Sequence, residues 1–210
     1  SFMKAYYYDD SYLEYLLSNP NENRINIANK SIEDIAKHTT YKVVLCNDDN
    51  KKDIFPYIYI GGDKIENNFT ATFMRGNDRQ KAIEHLKALL ENANCVFVYD
   101  LYLANNWASF LNFTQQCFPK RQLSIFYPQD IDLNNSANSH IPKLTQQQCS
   151  QIVQNNSQWR FSPDRIHQNF TNLHDRYLII DNKIEIIFTS GIHHLMNDSK
   201  DFTYIVRQHK

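Results

Sequence analysis

The stretch Leu173-His174-Asp175-Arg176-Tyr177-Leu178-Ile179-Ile180-Asp181-Asn182-Lys183, followed by Ile184-Glu185-Ile186-Ile187-Phe188-Thr189-Ser190-Gly191, decides how the rest of the chain is read. Two runs rich in β-branched and aromatic residues are separated by Asp-Asn-Lys, a strand–turn–strand signal. Residues two apart on a strand share a face, so His174 and Arg176 lie side by side if both are extended. An imidazole and a guanidinium at a strand end suit an anion, above all a phosphate. The guanidinium forks onto paired oxygens, and the imidazole can attack or exchange protons near neutral pH. Ser190-Gly191 closes the second run with two small residues, which leaves room for a ligand and offers a hydroxyl and backbone N–H donors. From the residues alone, His174-Asp175-Arg176 is equally readable as a surface turn with a local salt bridge.

Upstream of this hairpin the chain alternates helix and strand. Asp78 to Ala93 predicts a helix with Ile83, Leu86, Leu89 and Leu90 as its apolar stripe. Cys95 to Tyr99 is continuously apolar, the pattern of a strand buried on both faces, and Asp100 ends it. Asn106 to Cys117 predicts a second helix through Trp107, Phe110 and Leu111, and Leu123 to Tyr127 a strand stopped by Pro128. Helix, strand, helix, strand is a βαβ rhythm, which makes the two strands parallel neighbours. Asp100 is a strand terminator or helix N-cap, and equally a pocket residue, because sites in α/β folds collect at the ends of central strands. Thr145 to Asn155 predicts a capped helix; Trp159 to Phe161 and Phe202 to Val206 predict strands.

The first 75 residues have a different rhythm. Lys4 to Tyr8 is a strand candidate, Ser11 to Ser18 and Asn26 to Lys37 are helical, and Ser31-Ile32-Glu33-Asp34 resembles a capping box. Tyr41 to Cys46 and Phe55 to Ile60 are strands, the latter an edge because of Pro56. Asn68 to Met74 alternates as an antiparallel strand. A soft boundary at Arg75-Gly76-Asn77 divides a smaller α+β portion, 3–75, from an α/β domain, 76–210, unless the two are one continuous domain. Ser1-Phe2 before Met3 reads as a cloning scar.

With 210 residues, 42% hydrophobic and 21% charged, the chain has the composition of an ordinary globular protein. A net charge of -1 excludes a whole-surface basic field, and with it strong unselective binding to nucleic acid, but not a local basic pocket. Four glycines, with Gly61-Gly62 outside any phosphate-cradle spacing, argue against a dinucleotide or P-loop site. The four cysteines match no metal-ligand spacing and read as free thiols, buried at Cys46 and Cys95; no residue cluster suggests a metal or another cofactor. No signal segment and no membrane span is visible, so a cytoplasmic location is expected. His38 and His85, in helical contexts among polar neighbours, read as surface residues.

His174-x-Arg176-x4-Asp181 resembles the signature of the phospholipase D superfamily, His-x-Lys with an aspartate five residues beyond the lysine. The order Val98-Tyr99-Asp100-Leu101-Tyr102, Trp107 to Phe118, Leu123 to Tyr127, Leu173 to Asp181 and Ser190-Gly191 is most similar to the phospholipase-D-like C-terminal domain of MIT-domain proteins and related bacterial domains. The resemblance covers roughly residues 78–206. It implies an α/β fold with a mixed or parallel sheet flanked by helices, and a metal-independent phosphodiesterase, in particular a nuclease on DNA or RNA. In it His174 would attack phosphorus to give a phosphohistidine, Arg176 would clamp the phosphate in place of the usual lysine, and Asp181 would orient an imidazole. Ser190, Gly191, His193 and Asp100 would line the phosphate site. Active members combine two such motifs, and only one is present here. The resemblance therefore implies a homodimer that pairs two His174 residues, or a surrogate histidine: His193 or His194 first, His167 after them. By the same analogy, a bacterial defence effector is one setting for such a nuclease. The MIT-linked branch is described as binding lipid phosphates without hydrolysis, which keeps open a non-catalytic module that recognises nucleic acid or another phosphodiester-containing ligand.

Overall fold

The computed structural model describes residues 4–5, 30–46, 48–59, 69–136, 140–164, 166–167, 170 and 173–209. The expected helix at 11–18, most of the strand at 4–8, the start of the helix at 26–37, and Gly61-Gly62 lie outside these residues. Among the described residues two sheets form. The smaller has the order β1 (Lys4–Ala5), β2 (Val44–Cys46), β3 (Tyr57–Tyr59), with β1 antiparallel and β3 parallel to β2. Pro56 has no N–H to offer a ladder, and β3 is an edge as expected. Helix α1 (Ile32–Ala36) packs on this sheet, its N-terminus capped by the Ser31 hydroxyl, which accepts the Asp34 N–H at 3.1 Å.

The larger sheet has seven strands. In chain order they are β4 (Phe69–Phe73), β5 (Cys95–Tyr99), β6 (Leu123–Tyr127), β7 (Trp159–Pro163), β8 (Arg176–Ile180), β9 (Ile184–Phe188) and β10 (Phe202–Gln208). They lie side by side as β4-β10-β9-β8-β5-β6-β7. β5, β6 and β7 are parallel, and the rest is an antiparallel meander that joins this trio through the β8–β5 pair. The fold is thus a mixed α/β arrangement. Helices α2 (Gln80–Leu90), α3 (Trp107–Cys117) and α4 (Gln146–Asn155) bury Leu86, Leu90, Phe110, Phe113 and Ile152 in one core with Val96, Val98, Leu178, Ile180, Ile186 and Phe188 of the sheet. α4 opens with a full capping box between Thr145 and Gln148. On the opposite face Phe97, Tyr99 and Ile179 meet Phe170 and Tyr177, and the His167 ring stacks on Phe97 at 4.5 Å.

The expected boundary at 75–77 falls inside this body. β4 pairs with β10 over five residues, and Tyr41 and Val43 sit in the large core with α2. All four cysteines are free, with Cys46 and Cys117 buried and Cys95 and Cys149 half-buried. Two histidine expectations need correction. His38 is half-buried, and burial, then nearby Lys30 and Lys42, hold its imidazole below the usual range. His85 is 1% exposed. Its Nδ1 meets the Tyr204 hydroxyl at 2.8 Å and its Nε2 the Tyr41 carbonyl at 2.7 Å, which ties residue 41 to α2 and β10. The carbonyl can only accept, so Nε2 carries the proton and Nδ1 accepts from the tyrosine.

Burial lowers the His85 pKa to about 4. Between about 6.5, the unfolded value, and 4 the unfolded chain binds the extra proton and the native chain does not, so native stability falls as pH drops through that window. The expected loss is about 3 kcal/mol. Urea midpoints measured from pH 7 to pH 4 for the wild type and His85→Gln should show a weaker acid-side decline in the variant; equal declines would show that His85 does not drive it.

Candidate functional site

Alternation of helices with parallel strands sends β5, β6 and β7 towards one end of the sheet and begins α2, α3 and α4 there. Three helix N-termini, with their partial positive charge, gather at that end. β8 enters and β9 leaves at the same end, because Arg176 pairs with Phe188 and Tyr177 with Tyr99. Cross-strand partners share a face, and Phe188 is in the core beneath the helices. Arg176 therefore projects on the helix side.

Asp100 follows β5 and is 1% exposed. One carboxylate oxygen accepts the Tyr102 N–H at 2.9 Å and lies 3.9 Å from Arg176 Nε. Burial raises the Asp100 pKa, and the Tyr102 N–H and the Arg176 charge oppose that rise. Arg176 also donates through Nη1 to the His174 carbonyl at 2.9 Å, and among the described residues Nη2 has no hydrogen-bond partner. The guanidinium is fixed on one side and available on the other. His174 is exposed, in the bend before β8 rather than in the strand itself. Its neighbour is anchored: the Leu173 N–H donates to the Tyr99 hydroxyl oxygen at 2.9 Å. Nothing in the sequence links those two positions, which are 74 residues apart.

Past β9 the chain makes a turn of 3-10 helix at Ile192–His194 that packs against α3. The His193 and His194 rings lie 3.9 Å apart between centroids. His194 is buried and His193 half-buried, and among the described residues the buried Nδ1 of each has no hydrogen-bond partner. Burial first, then the charges of Arg176 and Lys200, hold His193 below its usual pKa. Burial, then His193, Lys200 and Arg176, do the same for His194, against a hydrogen bond to Asn197. Both imidazoles lie within the field of Arg176. Gly191 was expected to leave room for a ligand. Its room is taken by His193: a Cβ at position 191 would collide with Cε1 of that ring. The Ser190 hydroxyl points back to the Asp201 carbonyl at 3.4 Å.

The structure thus brings Arg176, Asp100, His174, Ser190, Gly191, His193 and His194 to one end of the sheet. Asp181 is not among them. A five-residue strand separates it from His174, and at roughly 3.3 Å per residue it lies on the order of 16 Å from Arg176. Its carboxylate accepts the N–H groups of Asn94 and Cys95 at 2.9 and 2.8 Å, closing the opposite end of β5 against the hairpin. Asp181 and Asn182 both take positive φ, 50° and 54°, which their short side chains tolerate. His167 is on the far face, its Nδ1 3.1 Å from Asp164 and its Nε2 3.1 Å from Asn182. Among the described residues no group of three His, Cys, Asp or Glu side chains is placed to hold a metal ion. An open cleft of about 610 Å³ beside α2 and β4 is lined by Ile54, Phe55, Phe73, Lys81, Asp53 and Glu84, among others. Its lining residues include no histidine or arginine.

No protein-family model matches the chain, and no curated protein matches it. The structure is similar to NucT from Helicobacter pylori at 12% identity and a TM-score of 0.36, covering 68% of this chain and 86% of that one. It is similar to Nuc from Salmonella typhimurium, a phospholipase D family member, at 9% identity and a TM-score of 0.34, covering 68% and 84%. Phosphatidylserine synthase from Haemophilus influenzae gives 9% identity and a TM-score of 0.31, covering 69% of this chain and 35% of that one. Likenesses this low carry no residue role or substrate across.

The placement of Asp181 makes it a folding residue. Asp181→Ala is expected to lower stability by about 1–3 kcal/mol, since two N–H groups lose their acceptor. Asp181→Asn, which keeps an oxygen acceptor and tolerates the positive φ, should lose less. Denaturant melts give the stabilities; an Asp181→Ala variant as stable as the wild type would overturn the assignment.

Proposed function

We propose that this chain binds a phosphodiester at the end of the sheet marked by Arg176 and cleaves it through His174, with a nucleic acid strand as the substrate. The observation that supports this reading is the half-engaged Arg176 guanidinium, fixed by Asp100 and the His174 carbonyl with Nη2 still available. A guanidinium held this way is pre-organised for a nonbridging phosphate oxygen and stabilises the added charge of a pentacoordinate transition state. His174 lies in the bend two residues before Arg176, is open to solvent, and carries an imidazole near enough in sequence to share the phosphate. In the reaction a His174 ring nitrogen forms a bond to phosphorus as the P–O bond to the leaving oxygen breaks. Water then attacks the phosphohistidine and the P–N bond breaks. None of these steps calls on a group outside the chain and water.

A second reading, a phosphate-recognising module without turnover, is favoured by one fact: a single His-x-Arg motif is present. A defence role and a homodimer remain proposals that follow from the sequence resemblance.

Single-stranded DNA, duplex DNA and RNA incubated with the protein in EDTA test both readings. Cleavage is expected with the wild type, with a loss of at least about 10³-fold in His174→Ala and about 10²–10³-fold in Arg176→Ala. Arg176→Lys should recover part of the latter, because it restores the charge without the fork. No cleavage, but dinucleotide binding that is lost in Arg176→Ala, would leave the module; neither cleavage nor binding would sink both readings.

A further inference from the structure

We infer that Tyr102 is a stacking platform for an unpaired nucleobase beside the phosphate held at Arg176, so that the strand this site takes is a single strand. The inference rests on the phosphodiester reading above and names the form of its substrate. A residue on the turn after β5 thereby sets a preference that the phosphate clamp alone does not.

That turn holds its backbone still and leaves one ring out. Asp100 and Leu103 are each 1% exposed and Leu101 packs against the cores on both faces of the sheet, whereas Tyr102 between them is 53% exposed. The Tyr102 carbonyl accepts the Asn105 and Asn106 N–H groups at 3.0 and 3.1 Å, and its own N–H goes to the Asp100 carboxylate. Two residues on, the Ala104 carbonyl accepts from Gln148 Nε2 of α4 at 3.0 Å. Among the described residues the Tyr102 ring meets no other aromatic ring and its hydroxyl has no hydrogen-bond partner. A ring of this size contributes to a fold by being covered, and here the fold covers its neighbours instead.

The position of the ring selects its ligand. The Asp100 oxygen that accepts the Tyr102 N–H at 2.9 Å is the one that lies 3.9 Å from Arg176 Nε, which leaves at most about 7 Å between the Tyr102 nitrogen and the guanidinium. One buried atom thus fixes both the phosphate clamp and the aromatic turn, and a phosphodiester on Arg176 carries a base within reach of the ring. Every nucleobase has a π-face, so stacking on an aromatic side chain tolerates any sequence. In a duplex that face is covered by the neighbouring bases, and in a single strand it can be turned out. The charge of the chain argues the same way. At -1 it has no broad basic field with which to hold a long run of phosphates, and a non-ionic contact has to supply part of the affinity.

The test reads binding, so it does not depend on turnover. In the His174→Gln background, which leaves Arg176 in place, fluorescence anisotropy gives Kd for a labelled single strand, for that strand annealed to its complement, and for an abasic backbone of equal length. The single strand should bind more tightly than the duplex. Adding Tyr102→Ala should weaken the single strand about five- to a hundredfold, leave the abasic backbone within about twofold, and narrow the preference over duplex. Tyr102→Phe should keep the affinity, and Tyr102→Leu, apolar but without a π-face, should not recover it. Arg176→Ala should weaken strand and abasic backbone alike. Thermal melts of the Tyr102 variants should match the parent, since the ring is exposed. Equal weakening of both probes by Tyr102→Ala, no weakening, or a parent that binds duplex as tightly as single strand would overturn the assignment. Full recovery in Tyr102→Leu would overturn it too, by marking an apolar contact such as a lipid surface. A parent that binds neither the strand nor the abasic backbone would instead overturn the phosphodiester reading on which it rests.

Discussion

The interaction on which the site depends is the approach of Arg176 to Asp100, 3.9 Å between Nε and a carboxylate oxygen that is almost wholly buried. A buried carboxylate is costly unless an opposite charge and hydrogen-bond donors compensate it, and removing one partner of such a pair commonly costs several kcal/mol. Asp100 is compensated by the Tyr102 N–H and by the guanidinium, and this fixes the turn that leads into α3. The same contact spans β8 and β5, already paired by their backbones, at the end where an antiparallel meander meets a parallel trio. Arg176 thus carries Asp100 on its Nε side and donates through Nη1 to the His174 carbonyl.

Much of this fold was legible in the sequence because the strands and helices obey their own periods. The continuous apolar run at Cys95–Tyr99 belongs to a strand covered on both faces, the Asp-Asn pair between two β-branched runs does form the turn, and Ser31 and Thr145 do cap their helices. What could not be read was long-range pairing. The strand at 69–73 looks local and N-terminal, yet its partner is β10, more than 120 residues later. His85 looked solvated because a polar residue on a helix usually is. It is on the buried stripe, at the i+3 position from Ala82 and one before Leu86, and only Tyr204 and the Tyr41 carbonyl make that tolerable.

The site was legible in part, and for a physical reason. Arg176, His174 and Asp100 were recognisable because strand ends of a βαβ unit converge. Asp181 belongs to the same motif in sequence but to the other end of the strand in space. The rise per residue was already enough to separate the two, and the motif's compactness in one dimension concealed its length in three. Gly191 was noticed for the right property and assigned the wrong occupant. A glycine shows that something approaches the backbone closely, and only coordinates show that here it is the imidazole two residues further on.

The histidines of this protein separate by whether burial has been compensated. Burial lowers the pKa of His85, His193 and His194 alike. At His85 both ring nitrogens have partners, so the ring is a cross-link between parts of the fold and is stable as it stands. At His193 and His194 the Nδ1 atoms have none among the described residues, and the first ring fills the space beside Gly191. A satisfied buried imidazole gains nothing from a ligand. An unsatisfied one beside a guanidinium gains an acceptor for its N–H and a counter-charge for its proton from a single phosphate oxygen. The asymmetry is therefore directional: hydrogen bonding is complete at His85 and incomplete at the end of the sheet where β9 leaves.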